Sequence, residues 1–370
     1  MKELTNSYVA VGLLGVVGIA PLIIFGLYGG ALADAFDRRR MAIITELGLA
    51  ACVLVLALNT VSSHPQTWVL YVGTMVMASF DGLQRPSLDA ITPRVVARED
   101  LAAASALKSL TGNGALIIGT SVGGLLIVNF GLTTAYFIDV ASYLISVLFV
   151  LTLPAIRPDT PLERVNLSAI AEGASYAWSR KDLLGTYLVD TAAMIFAFPN
   201  ALFPFLADNL NHPSSLGLLY CAGSIGALIT TATSGWTTHI NRQGLAIALS
   251  AIVWGLGIAA VGLSNSLPVV LIALAVAGGA DMLSAQFRQI MWNSTIPDNV
   301  RGRMAGIELL SYSIGPQLGE ARAGISAQHI GLKKAFISGG VLCVVTVVAL
   351  TQMMPKFRNF DRLASEHIQK

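Results

Sequence analysis

Charged residues are scarce in this chain. Asp, Glu, Lys and Arg make up 12% of its 370 residues, whereas a soluble globular domain carries roughly 25%. Hydrophobic residues make up 54% and form long runs without charge. This balance excludes an ordinary soluble protein. The formal net charge of +2 is small and its basic residues are scattered among loops, so nucleic-acid binding is not predicted.

Residues that usually build catalytic or metal sites are equally few. The three cysteines, Cys52, Cys221 and Cys343, each lie in an apolar run without CxxC spacing, so neither a disulfide framework nor a metal site is predicted. The five histidines lie in loops or the tail without HxxxH spacing, and no Gly-x-x-x-x-Gly-Lys loop is present. We therefore predict that the chain is not an enzyme and binds no metal, cofactor or nucleotide.

Long apolar runs predict an all-helical polytopic membrane protein. A helix needs about 20 apolar residues to cross the hydrocarbon layer of a bilayer. Eleven spans are predicted on this basis, at residues 8–28, 41–59, 68–88, 103–128, 132–153, 184–206, 215–236, 244–263, 268–290, 304–325 and 333–354. If Arg38–Arg40 are cytoplasmic, nineteen of the 23 Lys and Arg residues share that side. The positive-inside rule then places the C-terminus in the cytoplasm and the N-terminus of this chain outside.

The spans fall into two groups that resemble each other. The pattern Arg85…Ile91-Thr92-Pro93 returns as Arg288…Thr295-Ile296-Pro297, and the glycine cluster at residues 119–124 returns at 315–320. We predict an N-terminal bundle of five spans over residues 1–153 and a C-terminal bundle of six over 184–355. Residues 154–183 form a cytoplasmic linker with an amphipathic helix, and 356–370 form a cytoplasmic tail. Transporters are commonly built from such repeats, with the binding site between them.

The most specific motif lies between the first two predicted spans, Gly29-Gly30-Ala31-Leu32-Ala33-Asp34-Ala35-Phe36-Asp37-Arg38-Arg39-Arg40. It resembles the cytoplasmic loop between the second and third helices of the major facilitator superfamily. Gly30, Asp34, Arg38 and Arg39 match that loop, while Asp37 stands where glycine is more frequent. The resemblance implies that these residues form a gating loop that helps hold the outward-open state.

Nearly the whole chain is similar to that superfamily, which implies two pseudo-symmetric helix bundles. The family has twelve helices, and Met1–Ser7 resembles the outer tail of its first helix. We therefore expect that the first family helix is missing, either because the protein is truncated or because the start of the gene was assigned too far downstream. The segments at 34–40, 89–100 and 299–306 most resemble the branch that contains the enterobactin exporter and related secretion effectors.

Two glycine clusters have more than one interpretation. The pattern Gly119-Thr120-x-x-Gly123-Gly124 resembles the glycine-proline motif of the fifth helix in proton-coupled exporters, with Thr120 in place of proline. In the second half, Gly315-Pro316-x-x-Gly319 keeps the proline. These glycines act as hinges, or they simply allow close helix packing.

Charges inside predicted spans are the main site candidates, because one at the bilayer centre costs roughly 2.5–3.5 kcal/mol on insertion scales. Asp81 and Asp281 lie near the middle of repeat-related spans, and each is followed by an arginine, Arg85 or Arg288. These four residues are candidates for substrate or proton binding. The alternative is that they form internal ion pairs that only fix packing.

The other intramembrane charges rank lower. Asp139 and Asp190 lie off-centre and form the second rank. Glu46 and Glu308 are expected to pair with nearby arginines at cytoplasmic helix ends. Glu320 and Arg322 lie near the outer end of their span and are assigned to an outer gate or a wet vestibule.

The combined prediction is a monomeric secondary transporter in a bacterial-type inner membrane. The resemblance implies export of a siderophore or a drug-like small molecule by alternating access, with protons as the coupling ion. Two alternatives remain, namely uptake of a small solute and a non-transporting membrane remnant or scaffold.

Overall fold

Apolar helices account for the regular structure of the chain. In a computed structural model, the structure describes residues 1–97, 100–155, 175, 178–296 and 298–361. The predicted amphipathic helix of the linker lies largely outside these residues. So do the side chains of Asp34, Thr120 and Glu308, and the surroundings of Gly30. No strand occurs among the described residues.

The chain divides into two units. The first comprises Met1–Asn6 with Leu14–Asn166, and the second comprises Ser7–Leu13 with Leu167–Lys370. The helices of the first half are α1 (Lys2–Thr5), α2 (Tyr8–Ala35), α3 (Arg38–Val61), α4 (Thr67–Val95) and α5 (Leu101–Leu151). Those of the second half are α6 (Lys181–Ala197), α7 (Phe203–Asn209), α8 (Leu216–Thr233), α9 (Gln243–Leu263), α10 (Leu267–Thr295), α11 (Asp298–Ile330), α12 (Leu332–Met353) and α13 (Pro355–Arg358).

Each of the eleven predicted spans falls on one or more of these helices. Within the described part of the chain, eight segments are long and apolar enough to cross a membrane. The predicted spans at 68–88, 103–128 and 304–325 are not among these eight segments.

Glycine turns at matching places reveal the repeat. Gly131 interrupts α5 with φ 82° and ψ 162°, and Gly331 separates α11 from α12 with φ 87° and ψ 158°. A side chain is rarely tolerated at such positive φ, which explains glycine at both turns. The surrounding sequences, Gly131-Leu132-Thr133-Thr134-Ala135 and Gly331-Leu332-Lys333-Lys334-Ala335, are also similar. This equivalence aligns Gly119 with Gly319, four residues away from the repeat alignment expected from the glycine clusters.

One predicted span is broken. The sequence predicts a single helix over 184–206, but α6 ends at Ala197, a 3-10 turn covers Asn200–Leu202, and α7 follows. Pro199 explains the break, because proline cannot donate a backbone hydrogen bond and disfavours helical geometry in the preceding residue. Phe198 accordingly has φ −113° and ψ 89°.

Small residues let the helices of each unit pack closely. In the first unit α3 packs against α4 and α5, and in the second α9 packs against α10 and α12. A Cβ at Gly278 of α10 would collide with Gly223 of α8, and one at Gly255 of α9 would lie 2.9 Å from the Gly340 carbonyl oxygen. Such contacts are typical of membrane helices, where packing replaces the hydrophobic effect between helices.

Candidate functional site

A buried ion pair joins two helices of the second unit. Arg288 on α10 pairs with Asp190 on α6, and their side chains are only 9% and 6% exposed. The sequence predicts that Arg288 and Asp281 share a helix face, as a functional pair or as an internal ion pair. The carboxylate partner of Arg288 is instead Asp190, because seven residues of helix separate Asp281 and Arg288 by about 10 Å along the axis. Asp190, placed in the second rank from sequence, therefore joins Arg288 as a candidate site residue.

A second polar contact lies one turn further along both helices. Trp292 Nε1 on α10 donates to Thr186 Oγ1 on α6 at 2.9 Å. The Trp292 ring also stacks on Tyr187, with centroids 5.2 Å apart and an interplanar angle of 23°. The helix α6 packs mainly against α9, α11 and α12. Its described link to α10 consists of side-chain contacts, namely the Asp190–Arg288 pair and the contacts of Trp292.

Asp281 stands apart from this pair. It is half-buried on α10 and makes no hydrogen bond or ion pair with another described residue. It is the fifteenth residue of a 29-residue helix, and Asp81 is the fifteenth residue of the equally long α4. The two carboxylates thus occupy equivalent positions in the repeat.

Asp81 differs from Asp281 in having a partner on its own helix. Arg85 Nη2 lies 3.2 Å from Asp81 Oδ2, and both side chains are nearly half exposed, at 48% and 43%. Exposed pairs one turn apart contribute little stability, typically about 0.3–0.5 kcal/mol. This pair therefore leaves the Asp81 carboxylate accessible.

Around the motif that the sequence predicts to be a gating loop, the described residues cap α3 and contact the end of α5. Asp37 caps α3, because its side chain accepts a hydrogen bond from the Arg39 backbone N–H at 3.0 Å. The Arg39 guanidinium donates to the carbonyl oxygen of Leu151 at the end of α5. Arg38 is buried. Aspartate and glycine are both favoured at N-caps, which explains why Asp37 is accommodated where the family more often has glycine.

Glu46 does not have the arginine partner expected from the sequence. Its Oε1 accepts a hydrogen bond from Gln84 Nε2 on α4 at 2.9 Å, and both residues are buried. The prediction followed from closeness along the chain, whereas Gln84 is brought near by the packing of α3 against α4.

Arg322 lies in the second unit beside the broken end of α6. A Cβ at Gly339 of α12 would lie 2.5 Å both from Arg322 Nη2 and from the carbonyl oxygen of Phe196. All three guanidinium nitrogens are enclosed and lack a hydrogen-bond partner among the described residues. The last carbonyls of a helix carry partial negative charge, so a cation is favourable there. Arg322 is thus enclosed beside α6, and its assignment to an outer gate or a wet vestibule stays a prediction.

The candidate glycines of the two units have different surroundings. A Cβ at Gly315 would lie 2.9 Å from Met194 Cβ, and one at Gly319 would collide with the Met194 carbonyl oxygen on α6. No described atom lies within 4 Å of a Cβ at Gly119 or Gly123, and Gly124 is half-buried. Residues 119–123 also match a Gly-x-Ser-x-Gly pattern, but they lie inside α5 and not at the strand-to-helix turn of a catalytic serine.

Asp139 is exposed on the apolar segment Asn129–Leu151. The Ser142 hydroxyl donates to its Oδ1 at 3.5 Å. No group of three metal-ligating side chains occurs in the part of the chain that the structure describes.

Comparisons with other proteins agree with this architecture. A profile of the transmembrane secretion effector family matches residues 1–370. The enterobactin exporter EntS of Shigella boydii serotype 18 is 28% identical over 352 residues, covering 95% of this chain and 85% of that protein. EntS of Escherichia coli strain K12 is 27% identical over 362 residues, covering 97% and 87%.

Solved structures share the fold at low sequence identity. The nucleoside transporter NupG has a TM-score of 0.70 at 15% identity and covers 94% of this chain and 90% of that one. A POT family transporter in complex with 5-aminolevulinic acid has a TM-score of 0.73 at 11% identity, with coverage of 95% and 88%.

Proposed function

Because the chain belongs to the transmembrane secretion effector family of the major facilitator superfamily, we propose that it exports a siderophore-like or drug-like small molecule by proton antiport. The family and the fold establish a multi-pass membrane transporter that is not an enzyme. Export is favoured over uptake because the named relatives are exporters of enterobactin. The protein is proposed to act as a monomer in the bacterial inner membrane, with its C-terminus in the cytoplasm.

The observation that carries proton coupling is the Asp190–Arg288 pair. Removing one partner from such a buried pair is strongly unfavourable, because the other charge then remains uncompensated. A proton on Asp190 neutralises the carboxylate and releases Arg288. A cationic group of the substrate binds the Asp190 carboxylate only when that carboxylate is ionised. Substrate and proton therefore compete for Asp190 and bind in alternation, which is what antiport requires.

Asp81 and Asp281 are assigned to the transport path. Their equivalent positions on α4 and α10 support the proposal that both face one central cavity during alternating access. Asp281 has no described partner and is available to a proton or a cationic group, whereas Asp81 is already paired with Arg85. Asp81→Asn or Asp281→Asn is expected to abolish gradient-driven transport while insertion stays normal. Unchanged pH-dependent transport in both variants would remove them from this role.

The loop from Gly30 to Arg39 is proposed to act as a gate. Asp34 is assigned to the cytoplasmic beginning of the span starting at Met304, where a carboxylate near a helix N-terminus gains typically 0.3–1 kcal/mol. Asp34→Asn should shift the population toward the inward-open form, measured as the labelling rate of cysteines placed on the two faces. Unchanged labelling and an unchanged transport rate would reduce the loop to a topological anchor.

Inverted membrane vesicles test the proposed function directly. A pH gradient, acid inside, should drive accumulation of a catecholate siderophore or a cationic dye, and a protonophore should abolish it. Asp190→Asn should lose this accumulation. The matched control is Asp100→Asn, which makes the same change at an exposed position before α5.

The alternatives give different results in the same assay. Accumulation only in right-side-out vesicles would favour uptake. A correctly inserted wild-type protein that moves none of these compounds would favour a non-transporting remnant. Equal accumulation by Asp190→Asn and Asp100→Asn would contradict the assigned role of Asp190.

A further inference from the structure

A basic cavity lies where α6 begins and α13 follows α12. Its volume is about 490 Å³, and its lining includes Arg180, Lys181, Asp182, Lys356, Asn359 and Phe360. All of these residues belong to the second unit. The cavity is separate from the Asp190–Arg288 pair, and nothing in the proposed transport cycle uses it.

The charges around the cavity are unbalanced. Arg180 binds the Asp182 carboxylate with both arms of its guanidinium, Nε at 3.1 Å and Nη2 at 2.7 Å, so these two charges compensate each other. Lys181 and Lys356 remain, and both are exposed. Lys356 forms no hydrogen bond or ion pair with any described residue. Two lysine ammonium groups therefore line the cavity without an ion-pair partner among the described residues.

The backbone adds to this positive field. Arg180 is the N-cap of the 17-residue helix α6, and its side chain makes no capping hydrogen bond. The first N–H groups of a helix have no partner within it and favour an anion. The Asn359 side chain at the rim provides a further amide.

The short helix α13 is held firmly in place. Phe357 is fully buried, and a Cβ at Gly185 of α6 or at Gly244 of α9 would collide with it. Glycine at these two positions thus forms a slot for the Phe357 ring and backbone. Because Lys356 precedes Phe357, this slot fixes the basic rim of the cavity relative to the start of α6.

The residues around the cavity are typical of the depth of lipid headgroups. Lys181 is the first residue of the apolar segment Lys181–Asn209, and Pro355 follows shortly after the end of Leu332–Met353. Trp178, 67% exposed, lies with its ring centroid 5.3 Å from Lys181 Nζ. Tryptophan and lysine at a span end are typical of the membrane interface. The predicted topology places this interface at the cytoplasmic leaflet, which carries the anionic lipids.

We propose that this cavity binds the phosphate group of an anionic phospholipid, with Lys181 and Lys356 as the charged contacts. The lipid ties the start of α6 to the end of α12, and its acyl chains lie along the apolar surface beside them. The group recognised is a phosphate, which a lipid headgroup carries as an ester. A soluble phosphate would carry the same group, so the experiment must distinguish these two sources.

Native mass spectrometry of the purified full chain tests this site. Detergent-solubilised protein is mixed with phosphatidylglycerol or phosphatidylcholine, and the retained lipid is counted. We expect wild type to retain phosphatidylglycerol at least several-fold better than phosphatidylcholine, and Lys181→Gln with Lys356→Gln to remove that preference. The matched control, Lys333→Gln with Lys334→Gln, removes two charges at the other end of α12 and should behave as wild type.

Three results would overturn the proposal. Equal retention of the two lipids by wild type would exclude an anionic-lipid site. Undiminished phosphatidylglycerol retention in the Lys181 and Lys356 double variant would exclude these residues. Displacement of the lipid by millimolar inorganic phosphate would assign the cavity to a soluble ligand. If the Gln double variant does not fold, the double variant Lys181→Arg with Lys356→Arg replaces it. This variant keeps both charges and should retain the preference for phosphatidylglycerol. Loss of that preference would contradict a site based on charge.

Discussion

The glycine-rich faces of α5 and α11 show how one sequence pattern acquires two different environments. In the second unit, Gly315 and Gly319 lie directly against Met194 of α6, so their missing side chains are required for packing. In the first unit, no described atom lies near a Cβ at Gly119 or Gly123. A glycine stripe therefore predicts where a neighbouring helix can pack closely. Whether close packing occurs depends on whether such a helix lies beside the stripe.

The two units also differ in how much of the helix after the repeat-related turns at Gly131 and Gly331 is buried. In the most apolar stretch of Asn129–Leu151, 6% of residues are buried, compared with 33% in Leu332–Met353. Asp139 is exposed at the position equivalent to Gly339, where the second unit accommodates Arg322. In the second unit α6 covers this region, and the described residues of the first unit contain no helix in an equivalent place.

The largest expected effect is the difference in stability lost when the Asp190–Arg288 pair or the Asp81–Arg85 pair is broken. Arg288→Met should destabilise the second unit by about 3–5 kcal/mol, because it leaves the buried Asp190 carboxylate uncompensated. The matched Arg85→Met should cost only about 0.2–1 kcal/mol, since its pair is nearly half exposed. Thermal unfolding of both variants in the same detergent measures the difference. Similar losses would mean that burial does not distinguish the pairs.

A smaller effect tests the glycine comparison itself. Gly319→Ala should destabilise the protein by roughly 1–3 kcal/mol, because its Cβ meets the backbone of α6, which cannot move as freely as a side chain. Gly119→Ala should be neutral or stabilising by about 0.4–1 kcal/mol, because alanine favours the helix. The unfolding temperatures of the two variants should therefore shift in opposite directions or by clearly different amounts. Equal destabilisation would show that Gly119 also lies in a tight contact.

These comparisons indicate what could be predicted from sequence. Apolar length and charge located the helices, and the turn near Gly131 followed from the gap between two predicted spans. The break at Phe198 was missed because the apolar run continues through it, although Pro199 was the available signal. The Asp190–Arg288 pair could not be predicted, because only tertiary packing brings α6 and α10 together. The space that Gly339 leaves for Arg322 could not be predicted either, because a position along a span does not show which residues pack beside it.

The smallest predicted effect concerns the starts of α3 and α9. Asp37 caps α3 with its side chain, whereas Arg242 at the start of α9 makes no such bond. Asp37→Ala should cost about 1 kcal/mol and Asp37→Gly only a few tenths, since glycine is itself an acceptable N-cap. Arg242→Ala should have no capping cost. If Asp37→Gly lowers the free energy of unfolding as much as Asp37→Ala does, the capping explanation is contradicted.

The coupling role of Asp190 is tested most directly by measuring proton movement during substrate exchange. Proteoliposomes containing a pH-sensitive dye are given an outward or inward substrate gradient without an imposed pH gradient. Wild type should move protons opposite to the substrate, and Asp190→Asn should exchange substrate across the membrane without proton movement, because an amide cannot carry the proton. Proton movement at the wild-type ratio to substrate in Asp190→Asn would contradict the assignment of this ion pair as the coupling element.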